Sequence, residues 1–120
     1  MPLTIAHEVH DRQTVLIIDG DLDLDTAPQL ASMALGLVEA GAPDIVVDAS
    51  RLRFCDSSGL KAFVRIANQL RASDGKLAIA APPPAVRSAL QISGLLEAFV
   101  VVDSVPAAIS AINGTSGNPG

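Results

Sequence analysis

The sequence of 120 residues predicts an α/β fold, a mixed sheet of about five strands in the order β-β-α-β-α-β-α-β-α with four helices packed on it. Three observations point there. Short apolar runs (Val15-Leu16-Ile17-Ile18, Ile45-Val46-Val47 and Phe99-Val100-Val101-Val102) read as strands, the first two buried on both faces. Amphipathic stretches at helical spacing alternate with them. Gly, Pro, Ser and Asp mark the joins.

Residues 4–10 and 14–20 read as two strands, with Asp11-Arg12-Gln13 as the hairpin connection. Thr26 opens the first helix, and with Gln29 it forms the pattern of a capping box. Leu30, Met33, Leu37 and Val38 share a face, Gly41 stops the helix and Pro43 follows the break. After the strand at residues 45–47, residues 49–56 read as a loop that delivers Ser57-Ser58-Gly59. From Leu60 the pattern is helical again, with Phe63, Val64, Ala67 and Leu70 inward and Lys61, Arg65 and Asn68 outward. Ser73-Asp74-Gly75 ends that helix, and residues 76–80 form the fourth strand. Pro82-Pro83-Pro84 starts a third helix, Gly94 closes it, and Ser104 caps a final helix to about Ile112. Strands alternating with helices imply parallel pairing through right-handed crossovers. One domain is expected over residues 1–112, with a disordered tail over residues 113–120 made of Gly, Asn, Ser, Thr and Pro.

Composition narrows the function. With three Phe, no Trp and no Tyr the core is aliphatic, and a base-stacking surface lacks its aromatics. A net charge of −5 disfavours nucleic acid, whose affinity rests on phosphate neutralisation. No apolar run approaches the roughly 20 residues of a membrane span, and residues 1–10 lack a signal-peptide core. Cys55 is the single cysteine, so no intrachain disulfide can form. A cytoplasmic protein with no membrane and no nucleic-acid partner is the expectation.

Catalytic signatures are missing. There is no G-x-x-x-x-G-K, no G-x-G-x-x-G and no G-x-S-x-G. His7 and His10 fall on opposite faces of one strand, so they do not make a joint metal site. The acidic run from Asp19 to Asp25 fails as a calcium loop: counted from Asp21, Thr26 stands where glycine belongs and Ser32 where glutamate belongs. No metal and no cofactor are expected. Cys55 reads as a small buried hydrophobe. An enzyme built on Cys55, Ser57 or Ser58 as nucleophile would lack a base, since neither histidine is placed for it.

Asp56-Ser57-Ser58-Gly59 is the cluster that remains. Asp and Ser are favoured helix N-caps, and glycine tolerates a tight approach, so capping alone explains much of it. Its place is suggestive, because loops at the carboxyl ends of parallel strands collect binding sites. The segment after the second strand leaves at the same end and brings Asp21 and Asp23 towards the serines. A serine hydroxyl at a helix N-terminus can carry phosphate, since free N–H groups and the helix dipole favour an anion there.

Over residues 3–112 the chain resembles the STAS-domain anti-sigma-factor antagonists. Three stretches carry the likeness: Gly20-Asp21-Leu22-Asp23 with Thr26-Ala27; Phe54-Cys55-Asp56-Ser57-Ser58-Gly59-Leu60; and Pro84-Ala85-Val86-Arg87 through Ser93-Gly94-Leu95. The resemblance implies that the unphosphorylated protein binds an anti-sigma factor that is also a serine kinase, releasing the sigma factor. It implies that the kinase phosphorylates Ser57, which ends binding, and that a metal-dependent serine phosphatase restores it. The aspartate of the first stretch maps to Asp23, and Asp56 directly precedes the phosphosite. Ser58, Gly59, Lys61 and Arg65 are then neighbours of the phosphosite and candidates for partner contact. Lys61 stands where many relatives carry a small residue, and Arg51 and Arg53 make the approach to the serines unusually basic. The alternative is a STAS scaffold subunit of a stress-signalling or transporter-associated complex without direct sigma-factor control.

Overall fold

The computed structural model describes residues 2–10, 12–94 and 98–117. Nine elements follow the expected order: β1 Thr4–His10, β2 Gln13–Leu22, α1 Ala27–Glu39, β3 Ile45–Cys55, α2 Ser57–Arg71, β4 Leu77–Ala80, α3 Pro84–Ile92, β5 Val100–Val102 and α4 Val105–Gly117. The five strands lie in the spatial order β1-β2-β3-β4-β5. β1 pairs antiparallel with β2, and the other neighbours run parallel. The mixed sheet with four helices is therefore the one the sequence predicts.

Residues that alternate along the strands feed two cores. Leu16, Ile18, Val47 and Ile79 pack with Leu30 of α1, Phe63 and Ile66 of α2, and Val86 and Leu90 of α3. Val15, Val46, Ala78 and Ala80 point the other way and meet Ala108 and Ile112 of α4. Three helices thus cover one face and a single helix covers part of the other. Phe63 and Phe99 meet edge to face at 6.0 Å, a favourable aromatic geometry in an otherwise aliphatic core.

Three expectations need correction. The segment read as a loop, residues 49–56, is strand as far as Cys55. Only the first four residues of β3, from Ile45 to Asp48, pair with β4, while the remainder pairs with β2 alone. The outward side chains of that half (Ser50, Arg51, Arg53, Phe54) are exposed, which gives a strand a loop-like composition. Register shifts in β2 at Ile17/Asp19 and Gly20/Asp21 break its two-residue period as well. Gly20 sits at φ +127°, and a Cβ there would strike the Pro2 carbonyl oxygen.

The capping box at Thr26 and Gln29 does not form. Thr26 makes no side-chain cap bond to α1. Its hydroxyl donates to the Asp21 carbonyl at 2.7 Å and accepts from the Asp23 amide at 2.9 Å, while the Gln29 amide donates to the Leu3 carbonyl. Thr26 is taken up by its own loop and Gln29 by a long-range bond to Leu3, so the local motif is left unmade. At the other terminus α4 continues through Gly117, beyond the expected end at Ile112, so the segment assigned as tail begins in helix. Gln13 reaches across from β2 and donates to Asn113 at 2.7 Å. Residues 118–120 of that tail, and Leu95 of the third resemblance stretch, lie outside the described residues.

Candidate docking and modification site

The site is built where β2 and β3 end side by side. Leu22 is in register with Cys55, and the Asp56 amide donates to the Leu22 carbonyl at 3.1 Å. That bond ties the loop after β2 to the first turn of α2. Asp56 is the N-cap, in extended conformation, and its Oδ1 accepts from the amides of Ser58 at 2.8 Å and Gly59 at 3.2 Å. Such a cap contributes about 1 kcal/mol. It also means that Asp56 already occupies much of the anion-binding capacity of this helix end.

Ser57 is the first helical residue and is exposed, with its hydroxyl outside the core. Ser58 is half-buried and lines a groove of about 310 Å³ between α1 and α2, together with Leu24, Ala27, Ala31, Lys61, Ala62 and Arg65. Lys61 and Arg65 are exposed on α2. The structure therefore gathers Asp56, Ser57, Ser58 and Gly59 at the start of α2, with Lys61 and Arg65 following along the same helix.

Asp23 lies in the adjoining loop, but its carboxylate turns onto its own backbone. Oδ1 accepts from the amides of Asp25 at 3.0 Å and Thr26 at 3.1 Å, and from the Thr26 hydroxyl at 3.2 Å. Desolvation acts to raise its pKa, yet the bonds from the Thr26 amide, the Thr26 hydroxyl and the Asp25 amide prevail and hold it below the ordinary value. Asp23 thus rigidifies the loop. The residue of that loop facing Ser58 across the groove is Leu24, which is 73% exposed. Sequence reasoning passed over Leu24; the available signal was an apolar residue flanked by two aspartates in a polar turn.

Gly59 has a steric role that helix capping did not reveal. A Cβ there would lie 2.7 Å from the Cys55 sulfur and 2.8 Å from Leu22 Cγ and Cδ2. The absent side chain lets α2 begin directly against the strand ends.

Cys55 behaves as a structural thiol. Burial, with the nearby Asp56 charge, pushes its pKa up to about 12 from an ordinary 9.0. The folded state holds the proton more tightly than the unfolded chain. Its contribution to stability is therefore full below about pH 9 and is lost as pH rises towards about 12. Iodoacetamide at about pH 8 is expected to label the urea-unfolded chain and to leave the native protein unlabelled over the same interval, as read by intact mass. Equal labelling rates would show the thiol to be accessible and ionised. Among the described residues no cluster of three or more His, Cys, Asp or Glu is arranged to hold a metal ion, and no helix is long and apolar enough to cross a membrane.

Comparisons with known proteins agree with this architecture. A family model described as "Mlab, STAS domain" matches residues 5–103. A Bordetella bronchiseptica protein assigned as an anti-sigma factor antagonist, BtrV, is 33% identical over 101 residues, covering 84% of this chain and 87% of its own. The crystal structure of an anti-sigma factor antagonist from Mycobacterium paratuberculosis superposes with a TM-score of 0.85 at 29% identity, over 92% of this chain and 94% of that one. The anti-sigma factor antagonist SpoIIAA is similar in its unphosphorylated form, with a TM-score of 0.80 at 27% identity over 92% of this chain and 97% of its own. Its phosphorylated form, from Bacillus, gives 0.72 at 26% identity over 91% and 99%. This chain belongs to the STAS-domain family of anti-sigma-factor antagonists.

Proposed function

We propose that the protein is a phosphorylation-controlled antagonist of an anti-sigma factor. In its unmodified form it docks on an anti-sigma factor that is also a serine kinase, and the sigma factor is released. The kinase then transfers the γ-phosphoryl group of ATP to Ser57. The Ser57 Oγ–P bond forms as the bond from phosphorus to the ADP oxygen breaks, and the hydroxyl proton passes to a base on the kinase. The complex separates, and a metal-dependent serine phosphatase hydrolyses the ester to restore the docking form.

The observation that carries this reading is the exposed hydroxyl of Ser57 at the first turn of α2, beside a groove with apolar walls and cationic residues. Relatives studied in both unphosphorylated and phosphorylated forms support it. The protein has a binding role here and its chemistry is supplied by the kinase and the phosphatase. The cytoplasm, where sigma factors work, is the compartment this reading implies.

Incubation with ATP and each anti-sigma kinase of the host, read by intact mass, tests the proposal. One added phosphate is expected, and Ser57→Ala is expected to abolish it. A chain that binds no such kinase and accepts no phosphate would leave the scaffold reading in its place.

A further inference from the structure

Ser57, Lys61 and Arg65 are spaced by four on α2 and stand in one row, with Cβ atoms of successive members about 5–6 Å apart. All three are exposed. Neither Lys61 nor Arg65 enters an ion pair among the described residues, and the first turns of α1 and α2 carry no acid beyond the cap. The carboxylates of Asp23 and Asp56 are engaged by backbone amides. In a chain of net charge −5, two unanswered cations border a groove floored by Ala27, Ala31 and Ala62.

We infer that this row docks an acidic helical face of the partner kinase, and that phosphate on Ser57 disables it by pairing with Lys61 within the same helix. The inference rests on the reading of Ser57 as the phosphosite. Small side chains on the floor allow a partner helix to approach closely, and Leu24 at the lip offers an apolar anchor. The cations select an acidic face by charge complementarity. A negative group four residues N-terminal to a lysine is the favourable order for pairing along a helix. Phosphoserine brings three acceptor oxygens and a charge of about −1.5 to −2, and the flexible lysine stem can reach it. The modification then does two things at once: it places a dianion in front of the partner's acids, and it withdraws the cation that those acids had used.

The intramolecular half is testable without the partner. Phosphoserine is introduced at position 57 during translation, and its second ionisation is followed by phosphorus NMR. In the native chain the apparent pKa is expected below the ordinary value of about 6, and Lys61→Met is expected to return it there. Circular dichroism checks that the variant is folded. The docking half uses the kinase that modifies Ser57 in the mass assay. The double variant Lys61→Glu, Arg65→Glu is expected to weaken binding of the unmodified protein by at least about tenfold, with Lys61→Arg retaining it. In Lys61→Met the further loss on phosphorylation is expected to be smaller than in the native protein. Undiminished binding by the double-Glu variant, or a phosphoserine titration indifferent to Lys61, overturns this inference while the Ser57 switch stands. Failure of every kinase to modify Ser57 strikes the earlier reading instead.

Discussion

Protein carrying phosphoserine at position 57 is expected to bind its anti-sigma kinase about a thousandfold more weakly than the unmodified chain, because an unanswered interfacial charge costs several kcal/mol and about 4 kcal/mol corresponds to that factor. The fold itself need not move. Ser57 is at the first helical position, exposed, and the dipole there tolerates an anion. The destabilisation falls on the complex, where the dianion faces the partner's surface. Within the chain, Asp56 already takes the amides of Ser58 and Gly59, so the phosphate finds few free backbone donors there and turns to Lys61. Titration calorimetry with the kinase, on the unmodified protein and its Ser57→Ala, Ser57→Asp and phosphoserine forms, measures the effect. Ser57→Ala is expected to keep its affinity, and Ser57→Asp to move towards the phosphorylated value. Equal binding by the alanine and aspartate variants would remove charge as the cause.

The second large effect belongs to Gly59. Overpacking by one methyl costs about 1–3 kcal/mol where neighbours cannot give, and better helix propensity returns about 1 kcal/mol at most. Gly59→Ala brings its Cβ to 2.8 Å from Leu22 Cγ, an atom at the root of a fully buried side chain. It also meets the Cys55 sulfur at 2.7 Å. A net loss of stability is expected, with Tm falling by a few degrees, roughly 4 °C or more per kcal/mol at this size. The start of α2 must retreat from the strand ends, so Ser57 shifts and phosphorylation by the kinase slows. Cys55→Ala is expected to relieve part of the clash, making the double variant more stable than the sum of the two singles predicts. Strict additivity in thermal melts would show that the sulfur contact is not the obstacle.

These effects differ in how visible they were in the primary structure. The serine pair after an aspartate was plain, because capping residues and a following amphipathic helix announce themselves locally. The sheet was plain too, since Val15 to Ile18 and Ile45 to Val47 are apolar without interruption. The second half of β3 was hidden. Its outward residues face solvent and lack β4 as a neighbour, so Ser50, Arg51 and Arg53 imitate a loop. The fate of Thr26 and Gln29 was equally hidden, because Thr26 is taken by the Asp21 carbonyl of its own turn and Gln29 by Leu3, a partner set by tertiary packing. Gly59 could be placed at the helix start from the sequence, yet its necessity comes from Leu22, which is remote along the chain and adjacent only once β2 and β3 pair.

Strands that lie in space as they lie along the chain have a consequence for biosynthesis. β1, β2 and β3, the loop holding Leu24 and the opening of α2 all belong to the first half of the polypeptide. The serine hydroxyl and its surroundings therefore leave the ribosome ahead of β4, α3 and α4, since synthesis runs from the N-terminal end at about 5–20 residues per second. The later elements then supply the rest of the core on which α2 and the recognition surface rest.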